Sequence, residues 1–236
     1  PASHLMRFHT QTGGATLTAQ QPLNNVVRVA VQSMAAVMGG TQSLHTNGYD
    51  EALGLPTEEA ARIALRTQQV IGYESGVTDT PDPLAGSYYV ESLTNEVERL
   101  AWEYIKRIDD MGGAVNAIEA GFQMEEIEEA AYSYTKSIDD GTRTVVGVNK
   151  FTVDEPTDTP VLKVDPERER NQVERLRKFK VARDAALVAA RLDDVRAAAR
   201  GSDNLLYPMK AALKANATLG EVSDALRDVF GVYRPG

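Results

Sequence analysis

The chain has 236 residues, 42% of them hydrophobic and 25% charged, an ordinary globular composition that excludes collagen-like, disordered and membrane-spanning classes. No apolar run nears the ~20 residues a bilayer requires, and the formal net charge of −9 speaks against nucleic acid or an acidic membrane as partners, because both call for a basic face. The absence of cysteine removes disulfides, thiolate nucleophiles and cysteine-ligated metal centres; with no charged-then-apolar leader opening the chain, the expectation is a soluble, cytoplasmic protein.

In chain order, Leu5 to Thr12 reads as a strand and is followed by a Gly/Thr-rich loop. In "NNVVRVAVQSMAAVMGG", Val27, Val31, Met34, Ala35 and Met38 recur at helical spacing between an asparagine cap and a double-glycine stop, a stripe read as core. "TQSLHTN" is a second strand. "PTEEAARIALRTQQVIGYESG" is a second helix, with Pro56 and Thr57 at its start, acids in its first turn and Gly76 past its end. This is strand, helix, strand, helix, the grammar of a parallel sheet with crossover helices.

After the turn-rich "VTDTPDPLAGS" the character changes. "LTNEVERLAWEYIKRIDDMGG" is an amphipathic helix with Val97, Leu100, Ala101, Tyr104, Ile105 and Ile108 on one face. Two further helices, "GAVNAIEAG" and "MEEIEEAAYSYTKSIDDG", precede "TVVGVNKF", read as an apolar strand, and "FTVDEPTDTPVLKV", read as an extended linker. A long charged helix starts after Asp165 with Pro166 in its first position, and contains "RLRKFKVARD". Two helices fill the rest, the last opened by a Thr218/Glu221 capping box. The reading is an α/β segment over residues 1–85, a helical segment with a short strand and an extended linker over 86–164, and a helical region over 165–236.

Both strands are polar where a buried strand is apolar. His9, Thr10 and Gln11 end the first; Gln42, Ser43, His45, Thr46 and Asn47 fill the second, with Asp50 and Glu51 just beyond. All three histidines, His4, His9 and His45, fall in this region. In parallel sheets the C-terminal strand ends face the ligand site, so a polar strand end is a binding surface. The competing structural reading is that these side chains hydrogen-bond one another or buried water. A facial metal triad of His9, His45 and Asp50 or Glu51 is a third reading, unsupported by any local ligand spacing. A serine hydrolase is weaker, since Ser43 lacks the G-x-S-x-G elbow.

The segments "RFHTQTGGATLTAQQP", "GGTQSLHTNGYDEALGLPTEEAARIALRTQQVI", "DPLAGSYYVE", "GGAVNAIEAGF", "VVGVNKF" and "DNLLYPMKAAL" closely resemble the large, substrate-binding subunit of the adenosylcobalamin-dependent acyl-CoA mutases, the methylmalonyl-CoA mutase family. The resemblance implies a (β/α)8 TIM barrel threaded by an acyl-CoA thioester, with cobalamin across the C-terminal mouth of the strands. It implies radical rearrangement of the carbon skeleton of a short-chain acyl-CoA, begun by a 5'-deoxyadenosyl radical. By the same resemblance Glu51 holds the adenosyl ribose with Asn47 beside it, Gly14 and Gly54 lie against the cobalamin, Gln11 faces the corrin, and His9 and Gln42 line the cavity.

The departures from that family are as informative. A whole barrel takes about 250 residues and eight strands, and residues 1–85 resemble its last two units. The family's substrate-shaping tyrosine and arginine and its catalytic histidine match nothing in this sequence, so no catalytic residue is assigned. The D-x-H-x-x-G motif of the cobalamin domain is also missing. The resemblance therefore implies a C-terminal fragment of the large subunit, completed by an N-terminal part and a separate small cobalamin-binding subunit in a dimer or heterotetramer. Methylmalonyl-CoA is the first substrate expectation, with isobutyryl-CoA or 2-hydroxyisobutyryl-CoA as the alternative. A different class of reading is an inert assembly fragment that docks the partner subunit.

Overall fold

The computed structural model describes residues 5–154 and 159–234. His4, and residues 155–158 of the expected linker, lie outside the described residues. The chain divides into two units at Lys163/Val164.

In the first unit, β1 (His9–Gln11) and β2 (Ser43–His45) pair in parallel, with His9 opposite Ser43, Thr10 opposite Leu44 and Gln11 opposite His45. The strands are shorter than the sequence reading, although backbone bonds from the Gln42 amide to the Phe8 carbonyl and from the Thr12 amide to the His45 carbonyl continue the pairing by one bond at each end. Helix α1 (Asn24–Met38) follows β1 and α2 (Glu58–Glu74) follows β2; the two helices pack on each other. Side chains alternate across a strand, so the register gathers His9, Gln11, Ser43 and His45 on one exposed face and leaves Thr10 and Leu44, both half-buried, on the other.

Thr57 caps α2 by accepting from the Ala60 amide, and Glu58 and Glu59 sit in its first turn, where the helix dipole favours them. The double glycine stops α1 as expected: the Gly39 amide bonds the Ala35 carbonyl and Gly40 takes a positive φ of 82°. The expectation for its other end and its core face is corrected. Leu23 is the N-cap, without a side-chain cap bond, and the buried residues are Asn25, Val29 and Ser33, while Val27 and Val31 are 65% and 66% exposed. Periodicity selected the wrong stripe because two of the three buried residues are polar. Ser33 Oγ bonds the Val29 carbonyl at 2.7 Å, and Asn25 serves the loops around it.

Helices α3 (Tyr88–Asp110), α4 (Ala114–Glu119) and α5 (Phe122–Asp139) follow. The segment "TVVGVNKF" is no strand. A single bridge between Val146 and Lys150 closes a turn built by Asn149, whose Oδ1 accepts from the Val145 amide and whose Nδ2 donates to the Ile138 and Arg143 carbonyls.

The second unit comprises α6 (Pro166–Ala182), α7 (Ala185–Ala199), α8 (Leu206–Lys214) and α9 (Leu219–Phe230). The long charged helix breaks within "RLRKFKVARD": Arg183 is extended and Asp184 caps α7 by accepting from the Leu187 amide. Val188, Val195, Ala212, Ala217, Val222 and Ala225 form the core that joins α7, α8 and α9. The Thr218/Glu221 capping box is present in full.

Arg183 explains the break. Released from the helix, its guanidinium donates Nη1 and Nη2 to the two carboxylate oxygens of Glu221 at 2.6 and 2.5 Å. That bidentate pair, aided by the Thr218 amide, holds the Glu221 carboxyl well below the usual carboxylate range. A carboxyl with a depressed folded-state pKa stabilises the fold fully above its unfolded value of about 4.3, and the contribution fades as pH falls toward the folded value. Glu221→Gln is therefore expected to cost about 1–3 kcal/mol at pH 7, read by urea unfolding, with the difference from wild type shrinking as pH drops from about 5 toward 2. A difference independent of pH would contradict the pairing.

Candidate functional site

The polar residues beyond the two strands are tied together before anything binds to them. Thr12, 4% exposed, donates its amide to the His45 carbonyl at 3.1 Å, extending the ladder by one bond, and its Oγ1 accepts from the Asn47 amide at 3.0 Å. Gln11 Nε2 then reaches across to Asn47 Oδ1 at 3.0 Å. Asn47 is 2% exposed, and its Nδ2 has no hydrogen-bond partner among the described residues. A buried amide nitrogen without an acceptor is costly, by about 1–3 kcal/mol, and marks a place where a ligand acceptor fits.

Gly14 closes on the same point. It opens a short 3-10 turn, Gly14–Thr16, and a Cβ at this position would stand 2.8 Å from Asn47 Nδ2 and 3.5 Å from Glu51 Cγ and Oε1. Backbone, amide and carboxylate thus converge where no side chain larger than hydrogen fits. Gln32 on α1 fixes the turn: its Oε1 accepts from the Gly13 amide at 2.6 Å and its Nε2 donates to Thr16 Oγ1 at 2.7 Å. Glu51 is exposed; its amide donates to the Gly48 carbonyl at 3.2 Å, while among the described residues its carboxylate makes neither a hydrogen bond nor an ion pair and is open to accept.

Asp50 next to it does different work. It is fully buried, and its Oδ2 accepts from the Thr57 amide at 2.8 Å and from Thr57 Oγ1 at 3.1 Å, folding the segment between β2 and α2 into a closed turn. A Cβ on Gly48 would lie 2.7 Å from Asp50 Oδ1, so this glycine leaves room for the carboxylate rather than for a ligand. Thr46 faces the helices, with Oγ1 donating to the Ala64 carbonyl and accepting from Gln68 Nε2. A groove of about 260 Å³ lined by His45, Gly48, Glu51, Ala61, Leu65 and Gln68 runs between β2 and α2.

Of the residues singled out from sequence, Gln11, Gly14, Asn47 and Glu51 come together. His9 lies on the same exposed sheet face, with Nδ1 and Ser43 Oγ 2.7 Å apart. Gly54 stands in open space, with nothing within 4 Å of a built Cβ, and its amide bonds the Asp50 carbonyl. Gln42 is not brought to this group: it precedes β2, its Oε1 accepts from the Phe8 amide at 2.7 Å and its Nε2 donates to the Gly40 carbonyl. As for the metal reading, His9 and His45 are exposed whereas Asp50 is buried against Thr57, and among the described residues no group of three or more histidine, aspartate or glutamate side chains is arranged to hold a metal ion.

Thr12, Gln32 and Asn25 were missed as parts of this site. A threonine ending a strand and an Asn-Asn pair opening a helix are common features, and only the long-range bonds distinguish these.

The methylmalonyl-CoA mutase family profile matches residues 1–232. The chain is 48% identical to methylmalonyl-CoA mutase of Escherichia coli over 99% of its own length and 33% of that protein. It is 43% identical to the 2-hydroxyisobutanoyl-CoA mutase large subunit of Aquincola tertiaricarbonis over 99% of its length and 42% of that protein, and 46% identical to human mitochondrial methylmalonyl-CoA mutase over 98% and 31%. It thus spans between about a third and two fifths of the relatives it matches. The resemblance runs through both strands, the polar cluster beyond them and the helices that follow, and by that coverage the chain belongs to the methylmalonyl-CoA mutase family.

Proposed function

We propose that this segment is the C-terminal part of the substrate-binding subunit of an adenosylcobalamin-dependent acyl-CoA mutase, an isomerase, and that it supplies the adenosyl-facing wall of the active site. β1–α1 and β2–α2 are then the last two units of a (β/α)8 barrel, with the exposed face of His9, Gln11, Ser43 and His45 turned to its interior. The remaining strands belong to the length that the relatives have beyond the matched segment. Residues 86–164 form the helical segment after the barrel and 165–236 a separate helical region.

One observation carries this reading: a buried amide nitrogen on Asn47 that has no partner among the described residues, set against a glycine whose Cβ would fill the space, beside a Glu51 carboxylate that is likewise unpaired among them. A ribose diol presents two donors and shared acceptors, and a carboxylate paired with an amide N–H is complementary to it. Gly14 admits a flat, bulky ligand close to backbone. Gln11 keeps the Asn47 carboxamide oriented by occupying its Oδ1, so that Nδ2 is the atom offered. The cofactor, when bound, supplies the radical chemistry; these residues bind and orient it.

The substrate is a short-chain acyl-CoA. Relatives named for methylmalonyl-CoA and for 2-hydroxyisobutanoyl-CoA match this segment at 48% and 43% identity, so the choice between them is made largely elsewhere in the protein. A relative named as a large subunit supports a separate partner subunit, which in this reading carries the cobalamin domain. The two-stranded sheet leaves unpaired edges, which favours assembly with further protein over action alone.

Three outcomes are expected. In the complete enzyme, Glu51→Gln weakens adenosylcobalamin binding by roughly tenfold or more, the range for a hydrogen bond to a charged group, and leaves acyl-CoA binding unchanged; equal losses in both titrations would remove the ribose assignment. Gly14→Ala, whose Cβ would press on the buried Asn47 amide at 2.8 Å, lowers the melting temperature and lowers adenosylcobalamin affinity by a similar factor or more, and unchanged affinity would mean that the cofactor does not approach this turn. The segment mixed with a cobalamin-binding small subunit, adenosylcobalamin and acyl-CoA shows no turnover; measurable mutase activity from that mixture would contradict the division of labour.

A further inference from the structure

Asn25 is fully buried in the first turn of α1, yet it caps nothing and touches neither strand end directly. All four hydrogen-bonding positions of its carboxamide are used. Oδ1 accepts from the Thr18 amide at 3.1 Å and from Arg28 Nη1 at 2.7 Å; Nδ2 donates to the Thr18 and Tyr49 carbonyls, both at 2.8 Å. Thr18 lies four residues beyond Gly14 in the loop between β1 and α1, and Tyr49 sits midway between Asn47 and Glu51. One side chain therefore joins the two loops whose spacing sets the gap between Gly14 and Asn47.

Arg28 determines which way that carboxamide faces. Its Nη1 also donates to Thr18 Oγ1 at 3.0 Å and its Nη2 to the Val146 carbonyl at 2.7 Å, inside the turn that Asn149 builds. A charged donor on Oδ1 excludes the flipped amide, which would set Nδ2 against the guanidinium and Oδ1 against two carbonyls. The turn is held a second time by Gln21, whose Nε2 donates to the Phe151 carbonyl at 2.9 Å.

We infer that Asn25 and Arg28 are positioning residues for the adenosyl ligand: the Asn25 carboxamide, oriented by Arg28 and backed by the Val146 carbonyl, sets the distance between the glycine turn and the loop of Asn47 and Glu51. The inference rests on the reading that those residues face the adenosyl group. It differs from that reading in placing control on residues that would touch no part of the cofactor.

The test compares adenosylcobalamin with hydroxocobalamin, which shares the corrin and lacks the adenosyl group, by absorbance titration of the complete enzyme. Asn25→Asp turns two donors into acceptors facing carbonyls. It is expected to weaken adenosylcobalamin about tenfold and hydroxocobalamin less than about twofold, tenfold being about 1.4 kcal/mol. Arg28→Lys keeps the charge but spans fewer acceptors, so the same selective loss is expected at about threefold; it reads the proposal if Asn25→Asp fails to fold. A merely structural role would lower the melting temperature and shift both ligands alike. If Glu51→Gln is selective for the adenosyl ligand while neither α1 variant is, the positioning role is overturned and the site stands. If Glu51→Gln is not selective either, the adenosyl site itself falls, and this inference with it.

Discussion

The parallel pairing of β1 with β2 is the constraint from which the rest follows. With Gln11 opposite His45, the chain beyond each strand leaves the ladder at the same level, and a single further bond from the Thr12 amide to the His45 carbonyl brings Thr12, Gly14, Asn47 and Glu51 into one neighbourhood. A slip of one residue would turn His9 and Gln11 toward the helices and Thr10 toward the open face. Six paired residues do not hold such a register alone. It is secured from the helical side by Gln68, which bonds both the Leu44 carbonyl and Thr46, and by Asn25 between the two loops.

This arrangement separates support from function among residues of similar chemistry. Asp50 and Glu51 are adjacent acids, but one is buried against Thr57 and closes a turn while the other is exposed, its carboxylate unpaired among the described residues. Gly14 and Gly48 each leave space at less than 3 Å from a polar atom, one for what approaches Asn47 and one for the Asp50 carboxylate. Gln11 and Gln42 differ likewise: one orients Asn47, the other pins the start of β2 to Phe8. Position relative to the strand ends, more than residue type, decides the role.

Much of this was legible in the sequence. Polar groups clustered at two strand ends, and the caps at Thr57, Asp165 and Thr218, follow from local chemistry, and each is present. What stayed hidden depends on partners far along the chain. Hydropathy places the wrong face of α1 in the core because it cannot register that Asn25 meets carbonyls at Thr18 and Tyr49. The break at Arg183 depends on Glu221, 38 residues later, and the turn at Val146 on the several bonds of Asn149. Where a polar residue's partner is local the pattern can be read; where it is remote only the fold reveals it.

A structure of the complete enzyme with adenosylcobalamin bound tests the central claim most directly. The account predicts the adenosyl ribose hydroxyls within hydrogen-bond reach of the Glu51 carboxylate, an acceptor of the ligand on Asn47 Nδ2, and the Gly14 backbone in van der Waals contact with the cofactor. An adenosyl group seated away from the ends of β1 and β2, with Asn47 Nδ2 still unpaired, would contradict it.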